Sequence, residues 1–151
     1  MADRYWVGGS GTWNSSNTAN WSAATPVTIT SASRSGNTLT TTGSPALVVG
    51  MTVWYNVDQY TGTFTSAGTI TGGSGNTWTT SGSGTISSQQ MYAATIGASV
   101  PTSSDNARFG AYAGSQLSTV TVSGSNSCLS FFHSGHIEFG GSGSLSVTSS
   151  F

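Results

Sequence analysis

The sequence has 151 residues, a formal net charge of −1 and only 5 % charged side chains: its three cations are Arg4, Arg34 and Arg108, and its four anions are Asp3, Asp58, Asp105 and Glu138. That excludes a basic footprint for nucleic acid and a polybasic membrane anchor. With 35 % hydrophobic and 11 % aromatic residues the chain is too apolar for a disordered Ser/Gly tract, and its Thr, Val, Ile, Tyr and Trp favour strands joined by Gly, Ser and Asn turns.

A near-neutral surface of hydroxyls has little to keep copies apart, so it predicts burial among neighbours in an assembly. The start, MADRYWVGGS, carries no basic region followed by an apolar run, and no stretch of about 18 apolar residues occurs. The expectation is synthesis in a cytoplasm without a signal peptide. The single cysteine, Cys128, excludes an internal disulfide and reads as a small apolar group in a strand, since no basic neighbour in sequence lowers its pKa.

No window shows helical periodicity with a cap, whereas two-residue alternation recurs throughout. The first segment, RYWVGGSGTWNSSNTANWS (4 to 22), holds Trp6, Trp13 and Trp21 and almost nothing else to bury. The three rings read as its core; the rival reading is an outward platform that stacks on sugars.

From about Pro26 to Ala94 the chain nearly duplicates itself. Thr28-Ile29-Thr30 leads to SGNTLTTTGS (35 to 44), and Thr69-Ile70-Thr71 leads to SGNTWTTSGS (74 to 83). Each Gly-Asn pair supplies a tight turn, so two hairpins are predicted. With MTVWYNV (51 to 57) and TISSQQMYAA (85 to 94) as further strands, about six strands make a small barrel or sandwich. Within WYNVDQY, alternation should bury either Trp54 or Tyr55 and expose the other, so Trp54, Tyr55 and Tyr60 form the candidate contact surface.

The last part, from about Gln116, changes rhythm. Val120-Thr-Val122, Leu129-Ser-Phe131, Ile137-Glu-Phe139 and Leu145-Ser-Val147 each alternate apolar, polar, apolar at intervals of eight or nine residues. Stacked short strands burying a common side are predicted, with a last strand that further chain or another subunit covers.

RYWVGGSGTWNSSNTANWS followed by GASVPTSSDNARF (97 to 109) resembles a module near the N-terminus of tailed-phage virion proteins, mostly fibres and other particle-surface proteins. There the two pieces follow each other closely and lead into short β repeats. Here Ser104 stands in place of the usual Ala, and Ala107 with Arg108 in place of an apolar pair. The segment between them resembles a second Thr/Gly-rich β module of phage structural proteins, matched at Gly36 to Thr40, Leu47 to Met51, Gly68 to Thr71, Gly73 to Thr79 and Ser88 to Met91. The resemblance implies three parts: residues 1–25 with 96–115 as a discontinuous particle-attachment module, 26–95 as an inserted sandwich or barrel, and 116–151 as a short β-repeat array, solenoid- or prism-like, that a longer chain could continue.

The chemistry of catalysis is thin. The four acids are scattered, no nucleophile elbow is present, and the glycine runs lack the Lys of a phosphate loop. His133 and His136 in HSGH read as a loop pair rather than a metal site on a trimer axis. The expectations are therefore an all-β fold of short antiparallel strands, no enzyme activity, no cofactor and no metal. The implied function is that of a structural protein on the virion surface, a fibre anchoring region or a head decoration subunit. It would form a homotrimer, touch capsid or tail proteins, mediate adhesion, and bind neither nucleic acid nor membrane. The alternative is a carbohydrate-binding module that recognises host surface glycans through exposed aromatics.

Overall fold

A computed structural model describes residues 1–56, 64–110, 112, 118–134 and 137–148. Among them the fold is all-β, with no helix. In chain order the strands are β1 (Asp3–Trp6), β2 (Gly11–Trp13), β3 (Trp21–Ser22), β4 (Val27–Ser35), β5 (Thr38–Thr41), β6 (Thr52–Asn56), β7 (Phe64–Ser74), β8 (Thr77–Thr80) and β9 (Ile86–Ala94). They continue as β10 (Asn106–Phe109), β11 (Ser118–Val122), β12 (Ser125–Cys128), β13 (Ser130–His133), β14 (Ile137–Gly140) and β15 (Ser144–Val147).

Strands β4 to β9 close a six-stranded antiparallel barrel in the order β4-β5-β8-β7-β6-β9. Four of its six strands are the duplicated hairpins, β4-β5 and β7-β8. They meet along β5 and β8, where Leu39 faces Trp78 and Thr38 and Thr40 face Thr79 and Thr77. In both hairpins the glycine of the Gly-Asn pair alone takes a left-handed conformation (Gly36 at φ 60°, Gly75 at φ 62°), and no other residue type has positive φ among the described residues. Glycine at the first turn position is the type II′ arrangement, whose twist suits the flanking strands. Alternation then sends Leu39 and Trp78 inward with Ile29, Val53, Ile70 and Met91, while Thr38, Thr40, Thr77 and Thr79 stay exposed.

One cation is buried in this barrel. Arg34, 7 % exposed, donates from Nε to the Gly84 carbonyl at 3.2 Å and from the rest of its guanidinium to the carbonyls of Ala67 and Ser83. Backbone acceptors thus satisfy it, with no carboxylate among its partners in the described residues, and they tie β4 to β7 and to the turn after β8.

The remaining strands stack in parallel rather than antiparallel. β1, β10 and β13 form one side (Tyr5 opposite Arg108, Arg108 opposite Phe132), with β3 antiparallel on the outer edge of β1. β2, β11 and β14 form a second side, and β12 with β15 a third. The chain visits the three sides in rotation, so residues 106–148 are two coils of a three-sided stack laid on a first coil made by β1 and β2. The barrel interrupts that first coil, leaving after β3 and returning before β10. Amides of Gly97 and Ala98 on the return bond to the carbonyls of Thr18 and Trp21, pinning exit and entry together.

The eight- or nine-residue rhythm of the triplets does not place them one on another. Successive triplets lie on different sides, and the true stacking partner is a coil away: Ser118 opposite Ile137, Ser125 opposite Ser144, Asn106 opposite Ser130. A strand without any triplet, β12 (SNSC), completes the second coil by turning Asn126 and Cys128 inward.

The interior of the stack is aromatic. Trp6, Trp13 and Trp21 are all at 0 % exposure and surround Phe109, with ring centroids 5.1 to 5.8 Å apart: Trp21 stands edge-on to Trp6, Trp13 and Phe109, while Trp6 stacks on Phe109 and Trp13 tilts against it. Each such ring removes roughly 150 to 250 Å² from water, a gross gain of about 4 to 6 kcal/mol before entropy. Trp6 Nε1 donates to the Gly9 carbonyl at 2.7 Å, whereas Trp13 Nε1 and Trp21 Nε1 have no hydrogen-bond partner among the described residues.

Candidate functional site

Where β1, β10 and β13 lie side by side, alternation assigns Trp6, Ala107, Phe109 and Phe131 to the interior. The opposite parity brings Tyr5, Arg108 and Phe132 into one outward row across three strands, with Asp3, Asn106 and Ser130 in the row beside it. Arg108 lies over the Phe132 ring, its Cζ 4.3 Å from the centroid, and its Nε is 2.8 Å from Asp3 Oδ2. Asp3 also accepts from Asn106 Nδ2 at 2.8 Å and from the Tyr5 hydroxyl at 3.3 Å. Tyr112 stands edge-on to Tyr5, with centroids 6.0 Å apart. A groove of about 280 Å³ opens over this row, lined by Tyr5, Arg108, Tyr112, Phe132, His133 and Ser134.

The charges reinforce one another. The Arg108 guanidinium, and then the Asn106 amide, hold the Asp3 carboxyl below its usual range, and Asp3 in turn raises Arg108. Burial pushes the Tyr112 hydroxyl up, so it stays a neutral donor and acceptor at neutral pH. Both ion-pair partners are about one-third exposed, at 34 % for Arg108 and 32 % for Asp3, so the pair orients side chains more than it stabilises the fold.

Trp54 and Tyr55, the pair expected to divide between core and solvent, alternate as strand geometry demands, yet neither is an exposed ring. Tyr55 turns toward the barrel core, and Trp54 turns outward but is only 7 % exposed, because Val7 of the coil stack and Ala94 cover it. The approach is close: a Cβ on Gly8 would sit 2.8 Å from Trp54 Nε1. Trp54 therefore forms the joint between barrel and stack. Tyr60, Asp58 and His136 lie outside the described residues. His133 is exposed and touches Phe139 edge-on at 5.9 Å.

Cys128 is at 0 % exposure inside the stack, and burial raises its thiol pKa, which leaves it unreactive at neutral pH. Asp105 accepts from the amide and hydroxyl of Thr102, while Glu138 is exposed on β14. No three His, Cys, Asp or Glu residues gather as metal ligands among the described residues.

A second feature lies at the far end of the stack. Phe131, Ile137, Phe139 and Leu145 of the last coil point inward but remain half-buried, and Phe131, Phe139, Leu145 and Val122 line an open hollow of about 250 Å³. β13, β14 and β15 each pair on one side only.

The groove residues were not legible as a set. Tyr5 and Arg108 meet only because β1 pairs with β10 across the whole inserted barrel, and the one sequence signal was a lone arginine in NARF where an apolar residue is expected. No protein family, curated protein or solved structure matches the chain.

Proposed function

We propose that this chain is a structural protein of a tailed-phage particle, a fibre anchoring region or head decoration subunit that works by assembly and adhesion rather than catalysis. The observation that carries the reading is the last coil of the stack. Its strand edges and its half-buried Phe131, Ile137, Phe139 and Leu145 form a surface shaped to receive more β-structure, from further chain or a sister copy. The sequence resemblance to virion modules supports the particle setting. So does the barrel exterior, where exposed Thr28, Thr30, Thr38, Thr40, Thr77 and Thr79 replace the usual charged cover. In this reading the coil stack attaches to the particle and the barrel projects from it.

Mass spectrometry of purified particles tests the reading. The chain should be present at tens of copies for a fibre or hundreds for a decoration protein, and its absence from purified particles would overturn the proposal. Sedimentation of the isolated chain should give a trimer; a folded monomer at high concentration would remove that part.

A further inference from the structure

The geometry points to a binding subsite for a single neutral sugar ring in the groove over Tyr5, Arg108 and Phe132. This stands apart from the particle reading: it concerns what the outer face of the first side holds, wherever the protein is found.

Three observations carry it. The first is size. A volume of about 280 Å³ falls just under the roughly 300 to 1,000 Å³ of pockets that take drug-sized ligands, so it suits one ring rather than an extended chain.

The second is the mixture of surfaces. Tyr5, Tyr112 and Phe132 (37 % exposed) bring aromatic carbon to one groove. Aromatic faces are electron-rich, and the C–H faces of a pyranose are weakly positive and apolar, so the two pack without losing hydrogen bonds. Four hydroxyl-bearing residues, Tyr5, Tyr112, Thr25 and Ser134, line the same space.

The third is charge. Arg108 lines the groove and turns Nε to Asp3, and its guanidinium carries two further Nη groups. Those Nη groups are donors, and beside them the Asp3 carboxylate is an acceptor. A sugar hydroxyl both donates and accepts, so neighbouring hydroxyls match the pair. An anionic ligand would meet Asp3 and a cationic one Arg108, and the pair sums to zero, so net charge on the ligand earns no attraction. Asp3 on one edge and Phe132 under the plane hold the guanidinium in place before any ligand arrives.

The test is an amide chemical-shift titration of the whole chain. The probes are methyl glycosides of glucose, galactose and mannose, N-acetylglucosamine, and glucuronate as the acidic control, each raised to tens of millimolar. At least one neutral sugar should shift the amides of Tyr5, Arg108, Phe132 and His133 in a saturable way, and glucuronate should bind more weakly. Phe132→Ser should weaken the best sugar about tenfold, the loss of one stacking ring. Arg108→Lys, which keeps the charge and removes the planar fork, should weaken it severalfold. Should Phe132→Ser fail to fold, the wild-type titration still decides. Silence of the groove amides toward every neutral sugar overturns the inference, as does tighter binding of glucuronate or shifts unchanged in a folded Phe132→Ser. Each of these outcomes leaves the particle count untouched.

Discussion

The barrel hides every strand edge by closing on itself, whereas the coil stack leaves β13, β14 and β15 paired on one side only. The two regions also fill their interiors differently. Ile29, Leu39, Val53, Ile70 and Met91 occupy the barrel, and three tryptophans with Phe109 occupy the stack. The barrel contains three hairpins of consecutive strands, β4-β5, β6-β7 and β7-β8, and closes with Val27 opposite Ala93, while the stack joins Asp3 to Asn106 across the whole insertion. One region closes its sheet on itself; the other ends, among the described residues, in open strand edges.

Removing a ring from the stack should break the comparison most visibly. Trp13→Ala should cost about 3 to 5 kcal/mol, and amide exchange should show loss of protection in β1, β2, β10 and β11 while β4 to β9 stay protected. Simultaneous loss in the barrel would mean that the joint at Trp54 couples the regions into one cooperative unit.

The matching change in the barrel is Arg34→Met. It strips the carbonyls of Ala67, Ser83 and Gly84 of their shared donor and should cost about 2 to 4 kcal/mol. Exchange should now accelerate in β4 and β7, with the stack unchanged.

A finer contrast lies within the stack. Trp6→Phe abandons the Gly9 carbonyl, whereas Trp21→Phe removes an indole N–H that has no partner among the described residues. Denaturant midpoints should place Trp6→Phe about 1 to 2 kcal/mol below Trp21→Phe. Equal losses would show that ring volume, not the hydrogen bond, sets both.

The smallest effect is on acidification. Asp3, held low by Arg108, and Asp105, held low by Thr102 against the opposing push of burial, both belong to the stack. A carboxyl with a lowered folded-state pKa stabilises above its unfolded value, near pH 4, and that contribution fades as pH falls through the lowered value. For groups this exposed the loss between pH 6 and pH 2 should be at most about 1 kcal/mol. The described barrel residues contain no Asp or Glu, so in an Asp58→Asn background their exchange rates, corrected for intrinsic pH dependence, should not move.

The same contrast explains what the sequence revealed. Barrel strands were legible because turn and alternation fall within a few residues, as in Gly36-Asn37 followed by Thr38, Leu39 and Thr40, whose hairpin partner in β4 lies just before the turn. A segment holding Trp6, Trp13 and Trp21 with almost no aliphatic residue has only those rings to bury, and the structure buries them. The parallel stacking was not legible, since its period is set by a whole coil and the polar β12 breaks the apolar pattern. The groove was hidden for the same reason: Tyr5, Arg108 and Phe132 become neighbours only once strand register across the insertion is known. Trp54 shows the complementary limit, for alternation said only that it and Tyr55 face opposite ways, and the fold shows which way each turns and what covers it.

The pinned exit and return of the barrel bear on the order of events on the ribosome. β1 must wait for β10, its partner 103 positions later. A barrel that has already folded ties its own two ends together, so the segment to be closed shrinks from about 100 flexible residues to about 30, which lowers the closure entropy by about 1 kcal/mol. The insertion then serves as a clasp: the guest matures early and hands its host two ends already in reach of each other.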